Sequence, residues 1–390
     1  MKRNQYHNLM KYGLFLLALL FILTLLSTIY THKRTATATQ AKSKITTIQT
    51  DTATIRKLKD NGGRVSWYKG DSHSFIAYDA IVNKLNRNTE VFTYDPETEK
   101  TVCVTCKSDI PKGFIGQAEW HPNGEYLVIQ AENENSKHGV FNHLAWGIDN
   151  DLWIIKKDGS GAKKIYDTPP GNGVLHPHFN NDGTKIIFAE RVPTGKQIPG
   201  GKLAGTPDGE NQWDGWLIHI ANVDLTSSEP LSEHTGLFQN SNGIYETHGF
   251  HNDRIIFTHT PLGRAYMDDI YMSDLNGGNI IKLTDDSNSW DEHGHFSPAD
   301  ETLLAYMSSA PFENWNGTKG DKAQTLQTEL FIKNVITNKA EQITNLNEEL
   351  DKEVVISDFD WNNDGTQIVF QVAEIQGGTI PELWLVTFNE

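Results

Sequence analysis

The sequence predicts an all-β fold, a six-bladed β-propeller of four-stranded blades behind an N-terminal transmembrane or signal-anchor helix. Three observations predict it. An aromatic anchor, most often followed by a tight Asn/Asp/Gly/Pro turn, precedes an apolar strand six times over. The anchors recur every 46 to 71 residues, the spacing of one repeat per four-stranded blade. Ten Trp, 32 Gly and 14 Pro supply the anchors and turns that such a fold needs.

The N-terminal material is of another kind. Residues 1–11 carry Lys2, Arg3 and Lys11 and read as a cytoplasmic tail. Tyr12–Tyr30 contains no charged residue, and about 20 apolar residues span the hydrocarbon core of a bilayer. Residues 12–31 are therefore expected to be an uncleaved transmembrane signal anchor. A cleaved secretory signal is the alternative, with Ala36-Thr37-Ala38 a little downstream. Basic residues flank the segment on both sides, so the charge comparison is nearly even. Translocation of the acidic C-terminal part puts the propeller on the periplasmic or extracellular side of a cell membrane. Residues 32–50 read as a polar stalk and 51–390 as the propeller.

Net charge is −16, with 50 acidic against 34 basic residues and no concentrated basic patch, which disfavours a nucleic-acid partner. No G-x-S-x-G, H-E-x-x-H or phosphate-cradling glycine loop occurs, so serine hydrolase, zincin and nucleotide chemistry lack support.

The repeats open at Arg64–Trp67, Gln117–Trp120, His176–Phe179, Thr247–Phe250, His293–Phe296 and Asp358–Trp361. Each is the innermost strand, A, of a blade whose strands run A to D from the hub outward. Their B strands are Phe75–Tyr78, Tyr126–Gln130, Lys185–Ala189, Arg254–Thr258, Thr302–Met307 and Gln367–Val372. The last unit continues to a C strand, Glu382–Phe388, and is one strand short. Thr52–Leu58 is expected to supply that strand and remove an exposed sheet edge. The two cysteines, Cys103 and Cys106, cannot form a four-ligand zinc site. They read as a local disulfide, or else as a free pair.

The stretches Trp120-His-Pro-Asn-Gly124, Phe179-Asn-Asn-Asp-Gly183, Phe296-Ser-Pro-Ala-Asp300 and Trp361-Asn-Asn-Asp-Gly365 resemble the repeats of TolB-type β-propellers over residues 60–388. That resemblance implies the fold. The His-rich A strands also resemble those of oligogalacturonate lyases, which implies a divalent metal held by funnel histidines and a glutamine. Gly173 and Trp290 stand where that pattern has the glutamine.

Strand direction puts the A-strand starts at the same rim as the long B–C insertions 132–150, 191–214 and 310–328. Those starts carry Gln117 and Glu119, His176 and His178, Glu246 and His248, Asp291, Glu292, His293 and His295, and Asp358 and Asp360. Residues two apart share a strand face. His176, His178, His248, His293 and His295 are the candidate ligands of one divalent metal (Mn, Zn or Ni), with Glu246, Asp291 or Glu292 assisting. Inter-blade hydrogen bonding by the same histidines is the structural alternative. His121 is expected on the surface beyond its A strand. Trp146, Trp213, Trp216, Trp290 and Trp315 either stack on sugar rings or fill the blade core.

Two functions follow. The first is a membrane-anchored, non-catalytic binding or scaffold module that takes a protein or glycan at its funnel. The alternative is a metal-dependent, oligogalacturonate-like polysaccharide lyase using the funnel histidines.

Overall fold

The computed structural model describes residues 47–50, 52–70, 74–137, 146–194, 215–239, 243–261, 268–285, 289–312, 326–374 and 380–389. Six antiparallel sheets follow one another along the chain. Strands A to D of blade 1 are Gly63–Trp67, Ile76–Asn83, Asn88–Tyr94 and Thr101–Cys103. Blade 2 has Ile115–Trp120, Tyr126–Glu132, Asn150–Lys156 and Lys163–Tyr166. Blade 3 has Gly173–Phe179, Lys185–Arg191, Trp216–Val223 and Leu231–Gly236. Blade 4 has Gly243–His251, Arg254–Pro261, Asp269–Asp274 and Ile281–Lys282. Blade 5 has Asp291–Phe296, Leu303–Ser308, Glu329–Asn334 and Lys339–Gln342.

Blade 6 mixes both ends of the chain. Its A, B and C strands are Val354–Trp361, Gln367–Glu374 and Glu382–Phe388, and its fourth is Ala53–Lys59, paired antiparallel to Glu382–Phe388. A fifth strand, Thr47–Gln49, pairs with Ala53–Lys59 and buries Ile48. It comes from the last residues of the segment read as a stalk, so this sheet has five strands rather than four.

Blades are joined mainly by side chains, because backbone pairing between sheets is confined to a few contacts such as the Ile148–Gly173 bridge of blades 2 and 3. Every junction has its own apolar core. Ala77 and Val91 meet Trp120 and Leu127 between blades 1 and 2, and Leu152 meets Phe179 between 2 and 3. Ile187 meets Tyr245 between 3 and 4, and Ile270 meets Leu304 between 4 and 5. Leu330 meets Trp361 between 5 and 6, and Trp67 meets Val369 between 6 and 1. Six blades with six packed junctions close a ring. The anchors fill these cores: Trp67, Trp120, Phe179 and Trp361 are all buried.

Trp216 is likewise core, with 1% of its surface exposed, so it is not a stacking platform. His121 is buried rather than on the surface. Its ring packs edge-on against Phe179 and reaches the Gly183 carbonyl at 3.3 Å, tying the A–B turns of blades 2 and 3. A Cβ at Gly183, where φ is +73°, would meet that ring, which is why glycine stands there. Cys103 and Cys106 are joined as a disulfide at the end of blade 1. The expected anchor, residues 12–31, lies outside the described residues, as do Trp213 and Trp315. Among the described residues no helix is long and apolar enough to cross a membrane.

Candidate functional site

An A strand is paired on one side only, so its hub-facing backbone groups need partners from elsewhere. Neighbouring blades supply them. The Trp67 amide donates to Asp360 Oδ2 (2.7 Å), the Arg64 amide to Gln371 Oε1 (2.9 Å), and the His176 amide to Gln117 Oε1 (3.0 Å). Polar residues at the A-strand starts are thus structural as well as chemical.

Each A strand also has a β-bulge at the same point of its register. The shifts fall between Gly63 and Val65, Gly116 and Glu119, Leu175 and His178, Thr247 and Gly249, Glu292 and His295, and Ser357 and Phe359. The bulged residues are Arg64, Gln117, His176, His248, His293 and Asp358. Five of them have positive φ, at 32° for Arg64, 48° for Gln117, 49° for His176, 55° for His293 and 28° for Asp358. In blade 4 the unusual backbone passes to Gly249, at φ 108°. Side chains other than glycine seldom adopt this conformation, and a bulge re-aims the residue it contains.

The bulges turn these side chains toward one another. His176 of blade 3 and His293 of blade 5 have ring centroids 5.6 Å apart, and His248 of blade 4 lies 6.3 and 5.2 Å from them. One ligand atom each from His176, His293 and Asp358 falls within 4.8 Å of the other two. Burial, working against the attraction of Asp358, pushes the His176 imidazole down to about 3, and it also lowers His293. It puts His248 well below the ordinary range. Burial opposes ionisation of Asp358, but His293, His176 and the Arg64 guanidinium outweigh it and hold that carboxyl low. Neutral imidazoles beside an ionised carboxylate are the protonation states that bind a divalent transition metal. The donor set therefore fits such an ion.

Two further levels flank this ring. On the insertion side, Glu246 stands 3.7 Å from His176 Nε2, and Glu292 stands 3.7 Å from His293 Nε2. Burial pushes Glu246 up to about 7 and Glu292 well above its usual range, the latter helped by Glu246 and Asp268. The Trp290 indole N–H donates to Glu292. On the other side lie His178, His295, Glu119, Asp360 and Lys69. They line a cavity of about 500 Å³ that extends to the A–B turn residues Pro122, Asn180, Pro298 and Asn363. The described cavity thus lies at the end opposite the long insertions. Glu119 faces His178 at 3.8 Å, and Lys69 binds Asp360 at 2.7 Å. Desolvation would lower Lys69, but Asp360 and Glu119 outweigh it and keep the ammonium charged.

No protein-family model matches this chain. No curated protein matches it in sequence. Solved structures do resemble it. An oligogalacturonate lyase in complex with manganese shares 15% identity, over 88% of this chain and 96% of that one, with a TM-score of 0.49. An oligogalacturonate lyase of Vibrio parahaemolyticus shares 12%, over 89% and 98%, with a TM-score of 0.46. A protein from Agrobacterium tumefaciens assigned as TolB shares 10%, over 86% and 91%, with a TM-score of 0.47. Both resemblances read from the repeats recur here, and at these identities the likeness is one of fold.

The five candidate histidines do not form one ligand set. The bulges split them into His176, His248 and His293 in the ring, and His178 and His295 one level away, their centroids 6.1 Å apart. Asp291 is in neither group, since its carboxylate is held by Ser289 and Ser308 inside blade 5. Arg64 and Lys69 join the site although the sequence reading passed over them. A column alignment finds Arg64, which stands three residues before its aromatic anchor, as do Gln117, His176, His293 and Asp358. Lys69 follows its anchor, and only the ring closure brings it to Asp360.

Proposed function

We propose that this protein is a membrane-anchored propeller whose hub holds one divalent transition metal and receives a carboxylate-bearing protein or glycan ligand. The observation that carries this reading is the convergence of His176, His293 and Asp358 from blades 3, 5 and 6. A carboxylate suits the divalent ion itself, since the nearby cations Arg64 and Lys69 are already paired with Asp79 and Asp360. Beside it, the buried Gln117 Nε2 has no hydrogen-bond partner among the described residues. An incoming carboxylate oxygen would satisfy that donor, whose desolvation otherwise costs about 1–3 kcal/mol.

The experiment is metal analysis of the full chain in detergent, purified without chelator or histidine tag. Bound metal falls by one equivalent in His293→Ala and in Asp358→Asn. Unchanged metal in both folded variants would sink the reading. The membrane part rests on the uncharged run Tyr12–Tyr30. It predicts that the native chain stays in the membrane pellet after alkaline carbonate extraction, and release of a shortened soluble form would favour a cleaved signal instead.

A second reading, a metal-dependent lyase on acidic polysaccharides, is favoured by one observation. Burial keeps His295 well below its ordinary range, so a neutral imidazole lines the cavity as a candidate base. A bound metal would polarise a uronate carboxylate and acidify the adjacent proton. Cleavage of an acidic oligosaccharide by the metal-loaded protein, lost in His295→Ala with metal retained, separates enzyme from binding module.

A further inference from the structure

A second cluster lies away from the hub, on the flank of blade 3. Glu190 is on strand B, His219 on strand C and His234 on strand D. Glu190 Oε2 is 2.9 Å from His219 Nδ1 and 3.3 Å from His234 Nε2, and the two nitrogens are 2.6 Å apart. Hydrogen bonds cannot satisfy such a triangle completely. Each imidazole nitrogen has one in-plane direction, used by either a proton or a lone pair. His219 Nδ1 therefore cannot donate to both neighbours, nor donate to one while accepting from the other along a different line. A single cation between the three atoms satisfies all of them at once. The triangle is small enough for an ion to sit roughly 2 Å from each corner, the length of Zn–N and Zn–O bonds.

The surroundings are built for the same end. The Tyr166 hydroxyl of blade 2 donates to Glu190 Oε1 at 2.5 Å, which fixes the carboxylate and leaves Oε2 facing the imidazoles. Ligating carboxylates are commonly oriented this way by an outer partner. Strand D carries an irregularity where Glu233 has φ 52°, and the residue after it is His234. Both imidazoles stack against Phe188, at 6.0 and 5.5 Å between centroids. Glu190 is 5% exposed and His234 31%, so the carboxylate is sheltered while one imidazole remains open to solvent.

We propose that Glu190, His219 and His234 form a second divalent-metal site, of a kind that suits zinc, with Tyr166 as its positioning residue. It leaves a fourth position open on the solvent side, and it would clip the outermost strand of blade 3 to strands B and C of the same blade. This inference is independent of the hub reading.

Cobalt(II) and zinc(II) titrations of the full, metal-stripped chain test it. The expected result is one equivalent of Co(II), with its visible ligand-field absorption, lost in His234→Ala and kept in His293→Ala. If His234→Ala fails to fold, Tyr166→Phe carries the test and is expected to weaken Co(II) binding about 10–100-fold. Wild-type stoichiometry and spectrum in folded His234→Ala, or unchanged affinity in Tyr166→Phe, overturns the proposal. So does a wild-type chain whose only bound metal disappears in His293→Ala, an outcome that leaves the hub reading standing.

Discussion

Single residues in this hub do two jobs, and the energetic consequences can be separated. Asp79 of blade 1 is buried, accepts a hydrogen bond from the Gln117 amide at 3.2 Å, and lies 3.4 Å from Arg64. Desolvation pushes its carboxyl up to about 6, and the Arg64 charge only partly offsets this. The folded state therefore holds a proton that the unfolded chain releases near pH 4. Stability from this group is fully present below about pH 4 and is lost as pH rises through about 6. The loss amounts to ~3 kcal/mol by linkage. Urea midpoints measured from pH 4 to 7 should fall in the wild type and lose this component of the fall in Asp79→Asn. An identical profile in the two proteins would mean that Arg64 neutralises Asp79 completely.

At the scale of strands and blades, the sequence was legible wherever one residue pattern maps onto one structural position. The anchors and B strands recur because every blade needs a large side chain at its junction and an apolar central strand. The A strand of blade 2 was expected from Gln117 and starts at Ile115, and the A strand of blade 4 was expected from Thr247 and starts at Gly243. These strands extend backward because their first residues pair within the sheet without contributing to the repeat. Bulges were not legible. A period-two reading puts His176 and His178 on one face, and an inserted residue breaks that period. The resulting levels separate ring ligands from cavity-lining groups. The Glu190 cluster was hidden for a different reason. Its residues come from three strands of one blade and share no column of the repeat, so no periodicity brings them together.

Over the whole molecule, closure is the feature on which everything else depends. The hub residues meet only if all six blades stay at fixed angles, and the last junction is held by a strand from the other end of the chain. Ala53–Lys59 pairs along Glu382–Phe388 from Ala53↔Phe388 to Lys59↔Leu383, and Ala53 and Ile55 are fully buried. Lys57 adds a 2.9 Å ion pair to Glu382. Removing this strand exposes the edge of Glu382–Phe388 and opens a cavity beside Trp384, a loss of ~3–5 kcal/mol by analogy with large core truncations. The preceding strand Thr47–Gln49 buries little beyond Ile48, so its removal should cost only ~1–2 kcal/mol once the entropy of ordering three residues is set against that burial. A chain beginning at Thr52 should thus unfold close to the urea midpoint of one beginning at Thr47, while a chain beginning at Asp60 should unfold far earlier. The Asp60 variant should also lose hub metal, because Lys69 and Arg64 of blade 1 face Asp360 and Asp358 of blade 6 across the junction that this strand secures. Equal midpoints for the Thr52 and Asp60 chains would show instead that the Trp67–Val369 core alone closes the ring.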